Sequence, residues 1–269
     1  MSLVIFCTGM GLRVGVISQV IFCYEVLVKI SIITVCFNAS KELTKTIDSV
    51  IEQDYENTEY IIIDGASSDN SLQVINRYGC NVSLVVSEPD EGIFDAMNKG
   101  VFHSSGDYVI FMNAGDTFFD ESTISTFVNE CTHKNNPDII YGDHITDMRT
   151  TKYRSCAKPL TKIKYGMVFN HQSCMVKRSL LINSPFDINL LSADYNFLYQ
   201  QYVDGKNFSY VSRPVAVYDA FGISAIQKAR IYKEWMHSSL SKKFSVNVLF
   251  FFIAIRMKVY FDGMVKKNN

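Results

Sequence analysis

The chain has 269 residues with 26 Lys+Arg against 27 Asp+Glu, a formal net charge of −1 that hides a division. Residues 226–269 hold nine basic and two acidic residues (+7), whereas residues 1–225 hold 17 basic and 25 acidic residues (−8). The hydrophobic fraction of 48% and only 5 Pro exclude a disordered or collagen-like chain. The acidic body argues against nucleic-acid binding there, because phosphate contacts need clustered Lys and Arg.

The seven cysteines are scattered and form no C-x-x-C pair, so neither a zinc site nor a disulfide framework is indicated. Reduced thiols in a cytoplasmic protein are the simplest interpretation. The length suits one large α/β domain with an appendage.

Residues 1–28 are apolar, but Arg13 and Glu25 interrupt them. The uncharged stretches are therefore shorter than the roughly 20 residues that a membrane-spanning helix needs. They also lack the basic n-region and the cleavage site of a signal peptide. We expect residues 1–28 to be a non-structural leader, of the kind that a misassigned start codon would produce. The first strand then begins at Lys29.

From Lys29 the chain alternates between strand and helix patterns. The predicted strands are KISIITVCF, EYIIID, VSLVVSEPD, YVIFMN and DIIYGD, and helical patterns lie between them, the first with Ser40 as its N-cap. This alternation predicts right-handed βαβ units and a mostly parallel sheet. No G-x-G-x-x-G follows the first strand and no P-loop motif occurs, which disfavours dinucleotide-binding and P-loop folds.

Acidic residues follow the predicted strands: Asp64, Glu88, Asp90, Asp116 and Asp143. Any one of them alone is typical of a helix cap. Because the carboxyl ends of parallel strands share one edge of a sheet, we expect the set to lie along that edge, where ligands bind. Crowded carboxylates are stabilised by a hard divalent ion, so the pattern predicts Mg²⁺ or Mn²⁺ and a substrate with a diphosphate.

Several motifs resemble family 2 of the inverting, nucleotide-sugar-dependent glycosyltransferases. ITVCFN contains Phe37 and Asn38, and DGASSDNS contains Asp64, with Gly65 in place of a second acid. The resemblance spans about residues 29–224 and implies the GT-A fold. That fold is an α/β class with a Rossmann-like, mostly parallel central sheet flanked by helices, and we expect C-terminal amphipathic helices after it.

The most specific segment is SEPDEGIFDAMNKGVFHSSGDYVIFMNAGD. It resembles the subgroup found in colanic-acid, O-antigen and capsule gene clusters. The metal-binding D-x-D of the family is replaced here by Asn113-Ala114-Gly115-Asp116, in which Asp116 alone keeps a carboxylate. The resemblance implies that Asp116 binds the metal with fewer protein ligands than usual.

The later segments FNHQSCMVKRSLL, SADYNF and AVYDAFGIS follow the order of the family's acceptor half. Asp194 matches the position of the catalytic base, although a helix-start Asp capped by Ser192 would give the same pattern. His171 is expected at the donor or acceptor, with a structural role as the alternative.

The resemblance assigns Asp194 to catalysis and Asp116 to the metal. For the nucleotide-sugar, the resemblance implies that Asp64 contacts the base and ribose and that Asn98 and Lys99 contact the phosphates. An i,i+4 ion pair of Lys99 with Asp95 is the alternative for that lysine. The whole nucleotide-sugar set comprises Phe37, Asn38, Asp64, Asp90, Asn98, Lys99, Asn113 and His171.

The domain prediction has three parts: a leader (1–28), a catalytic domain (29–225) and a basic amphipathic helical tail (226–269). Within the catalytic domain, residues 29–143 form the nucleotide-sugar-binding half and residues 144–225 the acceptor half. In the tail, the apolar segment Phe244–Ile255 lies between basic residues and is too short to span a bilayer. Such a segment favours contact with an anionic lipid surface, with an ordinary packing helix as the alternative.

We therefore predict a metal-dependent inverting glycosyltransferase of the hexosyltransferase type. It moves a sugar from a nucleotide-diphospho-sugar to a hydroxyl of a lipid-linked saccharide in cell-surface polysaccharide biosynthesis. It acts as a cytoplasmic protein held peripherally at the inner face of the cytoplasmic membrane, and no nucleic-acid partner is expected. The alternatives are a catalytically inactive nucleotide-sugar-binding protein and a sugar nucleotidyltransferase.

Overall fold

The computed structural model describes residues 28–219 and 227–255. The predicted leader lies outside the described residues, apart from Val28. Residues 220–224 at the end of the AVYDAFGIS segment and the basic residues after Ile255 lie outside them as well.

The strands begin and end close to the predicted limits where they were predicted. They are β1 (Ile30–Cys36), β2 (Thr58–Asp64), β3 (Leu84–Ser87), β4 (Tyr108–Phe111), β5 (Thr117–Phe118), β6 (Ile139–Asp147), β7 (Lys152–Ser155), β8 (Cys174–Lys177) and β9 (Phe208–Asp219). The helices are α1 (Leu43–Ile51), α2 (Ser71–Asn76), α3 (Ile93–His103), α4 (Thr123–His133), α5 (Arg178–Asn183), α6 (Ala193–Val203) and α7 (Lys228–Lys242). Residues 246–255 are also helical.

Within these ranges the strands form one sheet in the order β3-β2-β1-β4-β8-β6-β9-β5, and β7 pairs with β6. The pairs β1/β2, β2/β3, β1/β4 and β6/β9 are parallel. The pairs β4/β8, β5/β9, β6/β7 and β6/β8 are antiparallel. The predicted α/β sheet flanked by helices is therefore confirmed, but the sheet is mixed rather than mostly parallel. The strands β5, β7, β8 and β9 were not predicted, and because β8 lies between β4 and β6, the fifth predicted strand does not adjoin the fourth.

Helices cover both faces of the sheet because side chains alternate along the strands. Ile33 and Ile61 face a core shared with α3, α5 and α6. Ile32 and Ile62 face a second core, shared with α1, α2 and α4. This alternation explains why β1 and β2 are continuous apolar runs, as expected for parallel strands buried on both sides.

The prediction of Ser40 as a helix N-cap was wrong. Helix α1 begins at Leu43, with Glu42 at the cap position and no side-chain capping bond. The backbone N–H of Ser40 instead donates to Asp69 at 3.1 Å, so this loop is fixed by the loop after β2 rather than by the helix.

The last described helices belong to the body of the protein. Helix α7 packs against α6, where the hydroxyl groups of Tyr195 and Ser239 lie 2.5 Å apart. Tyr165 contacts Phe251, with ring centroids 4.7 Å apart, and thereby holds the helix over residues 246–255. In the described ranges, no helix is long and apolar enough to cross a membrane.

A carboxylate connects the starts of three neighbouring strands. Glu59 of β2 accepts hydrogen bonds from Lys29 Nζ (2.9 Å), the Ser31 hydroxyl (2.5 Å) and the backbone N–H groups of Ser105 and Gly106 (2.5 and 3.0 Å). Burial opposes ionisation of Glu59, yet these hydrogen bonds outweigh it and lower its pKa from 4.5 to about 2. The ionised form therefore stabilises the fold.

We predict that Glu59→Gln destabilises the protein by about 1–3 kcal/mol at neutral pH, because charge-assisted hydrogen bonds are lost. A lowered pKa contributes stability above the unfolded-state value, and the contribution disappears as the pH falls through the folded-state value. The difference between wild type and variant should thus shrink from about pH 4.5 towards pH 2. Urea unfolding at several pH values measures it. The exposed neighbour Glu56→Gln is the control, and a Glu59→Gln effect no larger than that of the control would contradict the prediction.

Candidate active site

A cavity of about 1030 Å³ opens where β1 and β4 end. Its wall also includes the beginnings of α3 and α6 and one face of α7. This is the position at which open parallel sheets bind ligands, outside the carboxyl ends of their strands. The cavity is therefore the candidate active site.

Asp116 lies in the wall on a turn after β4 and is only 5% exposed. Its Oδ2 accepts a hydrogen bond from Gln172 Nε2 at 2.7 Å, and its Oδ1 accepts one from the backbone N–H of Asp219 at 3.1 Å. Burial raises the pKa of Asp116 from 3.8 to about 6, against the opposing effect of these hydrogen bonds and of nearby His171. A cation beside this carboxylate would offset the cost of its ionisation.

Asp194 lies in the same wall, in the first turn of α6, where the helix dipole favours a negative charge. Its Oδ1 accepts a hydrogen bond from the N–H of Tyr195 at 2.8 Å, and its Oδ2 lies 3.1 Å from His171 Nδ1. Ser192 occupies the N-cap position without a side-chain capping bond. Its hydroxyl instead donates to Glu234 of α7 at 2.9 Å.

The consecutive residues His171 and Gln172 connect the two acids. His171 contacts Asp194, and Gln172 donates to Asp116. The other ring nitrogen of His171, Nε2, lies 3.3 Å from Asn113 Nδ2. The loop after β4, the turn before β8 and the start of α6 therefore share one hydrogen-bonded network.

Buried polar atoms without partners concentrate in this wall. In the part of the chain that the structure describes, five buried side-chain N or O atoms have no hydrogen-bond partner, and four of them belong to cavity residues. These four are Asn113 Oδ1, His144 Nδ1, Gln172 Oε1 and Trp235 Nε1. Because such groups are rare and costly in folded proteins, they indicate a polar ligand.

The structure brings some of the predicted nucleotide-sugar residues to the cavity. Phe37 and Asp90 are in its wall. Asn38 is outside the wall, and its Oδ1 accepts the N–H groups of Ser68 and Asp69. Asn38 therefore braces the loop after β2.

Asp64 is fully buried and is also outside the wall. Its Oδ2 accepts the N–H of Ser67 at 3.0 Å and the hydroxyl of Ser87 at 2.7 Å. A side chain at Gly65 would approach Asp90 Oδ2 within 2.3 Å, so the glycine allows Asp90 its place in the wall.

Asn98 and Lys99 do not reach the cavity. Asn98 exchanges two 2.9 Å hydrogen bonds with the backbone of Phe186. Lys99 pairs with Glu88 at 3.0 Å and with Asp95 at 3.2 Å, so the i,i+4 ion pair considered as the alternative is present. The lysines in the wall are instead Lys158 and Lys228.

The acids after the strands do not form one cluster. Asp143 is fully buried and bonded to Arg154, to the Tyr210 hydroxyl and to the N–H of Ala157. Among the described residues, no three His, Cys, Asp or Glu side chains lie close enough together to hold a metal ion. The expectation that these acids are crowded together and share a neutralising cation was wrong, because Asp143 and Asp64 are satisfied by protein groups.

Oxygen ligands for a hard cation are nevertheless present at Asp116. Its carboxylate shares the wall with the unpartnered Asn113 Oδ1. Mg²⁺ sites commonly use one or two carboxylates and take further ligands from substrate phosphates and water. The donor set at Asp116 therefore fits Mg²⁺ or Mn²⁺ bound together with a diphosphate.

Sequence reasoning missed several residues of the wall. Gln172 and Asp219 were within quoted segments but were given no role. Trp235 is the only tryptophan of the chain, and with Lys228 it has the i,i+7 spacing of one helix face. That spacing could have indicated that one face of this helix lines the cavity. The basic composition of residues 226–269 instead directed the interpretation towards a membrane surface.

Comparison with known proteins identifies the family. The sequence profile described as Glycosyl transferase family 2 matches residues 31–204. The PGL/p-HBAD biosynthesis glycosyltransferase of Mycobacterium bovis is 25% identical over 246 residues, which cover 88% of this chain and 94% of that protein.

Two solved structures resemble the fold at low sequence identity. One is S. aureus TarS 1-349 in complex with UDP-GlcNAc, with a TM-score of 0.67 and 18% identity, covering 80% of this chain and 66% of TarS 1-349. The other is the mannosyltransferase PcManGT from Pyrobaculum calidifontis in complex with GDP-Man and Mn²⁺, with a TM-score of 0.65 and 17% identity, covering 85% and 69%. These likenesses confirm the predicted GT-A fold. The profile match extends over more than half of the sequence, and the chain belongs to glycosyl transferase family 2.

Proposed function

We propose that this protein is an inverting glycosyltransferase that moves a sugar from a nucleotide-diphospho-sugar to a hydroxyl group of a saccharide acceptor. The observation that carries the proposal is that Asp116 and Asp194 line one cavity and are joined through His171-Gln172. The nucleotide-sugar ligands of TarS and PcManGT support such a donor.

Asp194 is the general base. Its place in the cavity wall at the start of α6 keeps the carboxylate near a bound acceptor. His171 positions Asp194 by its contact with Oδ2. The acceptor hydroxyl attacks the anomeric carbon as Asp194 accepts its proton, and one displacement inverts that centre without an enzyme nucleophile.

Asp116 is the protein ligand for Mg²⁺ or Mn²⁺, with Asn113 beside it. When bound, the ion neutralises charge on the departing nucleoside diphosphate. Lys158 and Lys228 supply positive charge in the same wall, in the role first assigned to Lys99. Phe37 and Asp90 contact the nucleotide-sugar from the β1 and α3 side.

The acceptor is a lipid-linked saccharide of a cell-surface polysaccharide, of the O-antigen, capsule or colanic-acid type, and the sugar moved is a hexose. The protein contacts the inner face of the cytoplasmic membrane through its C-terminal helix. Val246, Phe250 and Ile253 share one exposed face of that helix, and Lys243 is exposed just before it. Lys242 does not contribute, since its Nζ donates to the backbone of Asn196 at 2.9 Å.

We predict that Asp194→Asn lowers sugar transfer about 10²–10⁴-fold, because the amide cannot accept the proton. Binding of UDP or GDP should persist, since Asp194 acts on the acceptor. A donor screen for transfer and calorimetry with both nucleotides measure the two effects. Asp204→Asn, at the other end of α6, is the matched control and should transfer at the wild-type rate. Unchanged transfer in Asp194→Asn would remove the residue from its assigned role.

A second prediction concerns the metal. With Mn²⁺ and a saturating nucleoside diphosphate, the Tm of the wild type should rise by about 5 °C or more. Asp116→Asn should lose the part of this rise that depends on Mn²⁺, since the amide binds a hard cation less well. Thermal unfolding of Asp54→Asn, an exposed acid outside the cavity, provides the comparison. An equal Mn²⁺ effect in Asp116→Asn and wild type would exclude Asp116 as the metal ligand.

A further inference from the structure

One face of α7 forms part of the cavity wall. Lys228, Ile231, Tyr232 and Trp235 all line the cavity, and their i, i+3, i+4, i+7 spacing places them on one side of the helix. After Lys228 this face is apolar and aromatic. The rings of Tyr232 and Trp235 meet edge to face, with centroids 5.6 Å apart.

This face is held beside Asp194. Ser192, two residues before Asp194, donates its N–H and its hydroxyl to Glu234 of α7, both at 2.9 Å. The ring of Tyr195, the residue after Asp194, lies 5.2 Å from the ring of Trp235. Contacts on both sides of Asp194 therefore fix the α7 face next to the proposed base.

Residues 166–169 form a further segment next to Trp235, and the absence of a side chain at Gly166 allows its close approach. A Cβ at position 166 would come within 2.5 Å of the indole ring, so the segment from residue 166 onward approaches the indole closely. Met167, Val168 and Phe169 of this segment also line the cavity. Together with Leu191, they extend the apolar surface around the α7 face.

A purely polar acceptor would leave this surface without a partner. Ile231 is buried, but Tyr232 and Trp235 are only partly buried and retain area that a ligand can cover. Covering apolar area stabilises a complex roughly in proportion to the area removed from water. The aromatic rings of Tyr232 and Trp235 therefore offer apolar area on the cavity side of α7.

We propose that the acceptor carries an apolar group, aryl or alkyl, next to its reacting hydroxyl, and that Ile231, Tyr232 and Trp235 bind this group. The inference rests on the proposed function, in which Asp194 marks the acceptor side of the cavity. It makes α7 a determinant of acceptor specificity.

The single tryptophan gives a direct test, because all tryptophan fluorescence comes from this face. The probes are the methyl, hexyl and phenyl β-D-glucopyranosides and the matching galactosides, titrated into the full chain. We expect the hexyl or phenyl glycosides to change the fluorescence and to bind at least about tenfold more tightly than the methyl glycosides. Tighter binding of the phenyl compounds indicates an aryl group, and tighter binding of the hexyl compounds an alkyl chain.

Tyr232→Ala should reduce the preference for the apolar glycosides at least about threefold while Trp235 remains as the reporter. Phe102→Ala removes an aromatic ring that is 74% exposed and outside the cavity, and it should keep the full preference. Equal binding of all the glycosides to the wild type, or no fluorescence change with any of them, would overturn the proposal.

Calorimetry with UDP and GDP separates this inference from the proposed function. Nucleotide binding without an apolar preference refutes the α7 inference and leaves the proposed donor site standing. An apolar preference without binding of either nucleotide supports the α7 inference and contradicts the proposed donor.

Discussion

The pair His171-Gln172 holds two distant acids at one cavity, and the proposed chemistry depends on that contact. Asp116 and Asp194 come from different segments of the chain, yet each is bonded to one member of the pair. The pair can reach both because its short turn contacts β4, β6 and β9 just before the chain enters the antiparallel strand β8. Burial of Asp116 without these bonds and without a cation would be costly, since an uncompensated buried charge destabilises the fold.

The cavity wall differs from the rest of the described structure in how its buried polar groups are paired. The strand cores are largely apolar, and Glu59 and Asp143 satisfy their charges with protein groups. The cavity wall instead keeps the unpartnered Asn113 Oδ1, His144 Nδ1, Gln172 Oε1 and Trp235 Nε1. Local violations of this kind are expected where a ligand completes the structure. Stability resides in the sheet, and the unsatisfied groups concentrate in the wall of one cavity.

Periodicity predicted β1, β2, β3, β4 and β6, and most readily β1 and β2, whose long apolar runs can be recognised without a distant partner. It did not predict β5, β7, β8 or β9. Strand β8, for example, has only four residues, and its place depends on pairing with β4 and β6. The candidate site shows the same contrast between features set by local sequence and features set by contacts between distant segments. Motifs selected Asp116 and Asp194 as candidates, and both line the cavity. The separation of Lys99 from the cavity and the presence there of Lys158 and Lys228 depend on how loops distant in sequence meet. Part of the predicted basic tail belongs to the candidate site, since α7 packs on α6 and forms part of the cavity wall.

A structure of the protein with Mn²⁺ and a nucleoside diphosphate tests the central claim most directly. The account predicts the diphosphate in the cavity, with the ion within about 2.0–2.2 Å of an Asp116 oxygen, as a small hard cation requires. Asp194 should face the space left for the sugar on the side opposite the leaving group. A nucleotide bound outside this cavity, or with its diphosphate beside Asp194 and away from Asp116, would contradict the account.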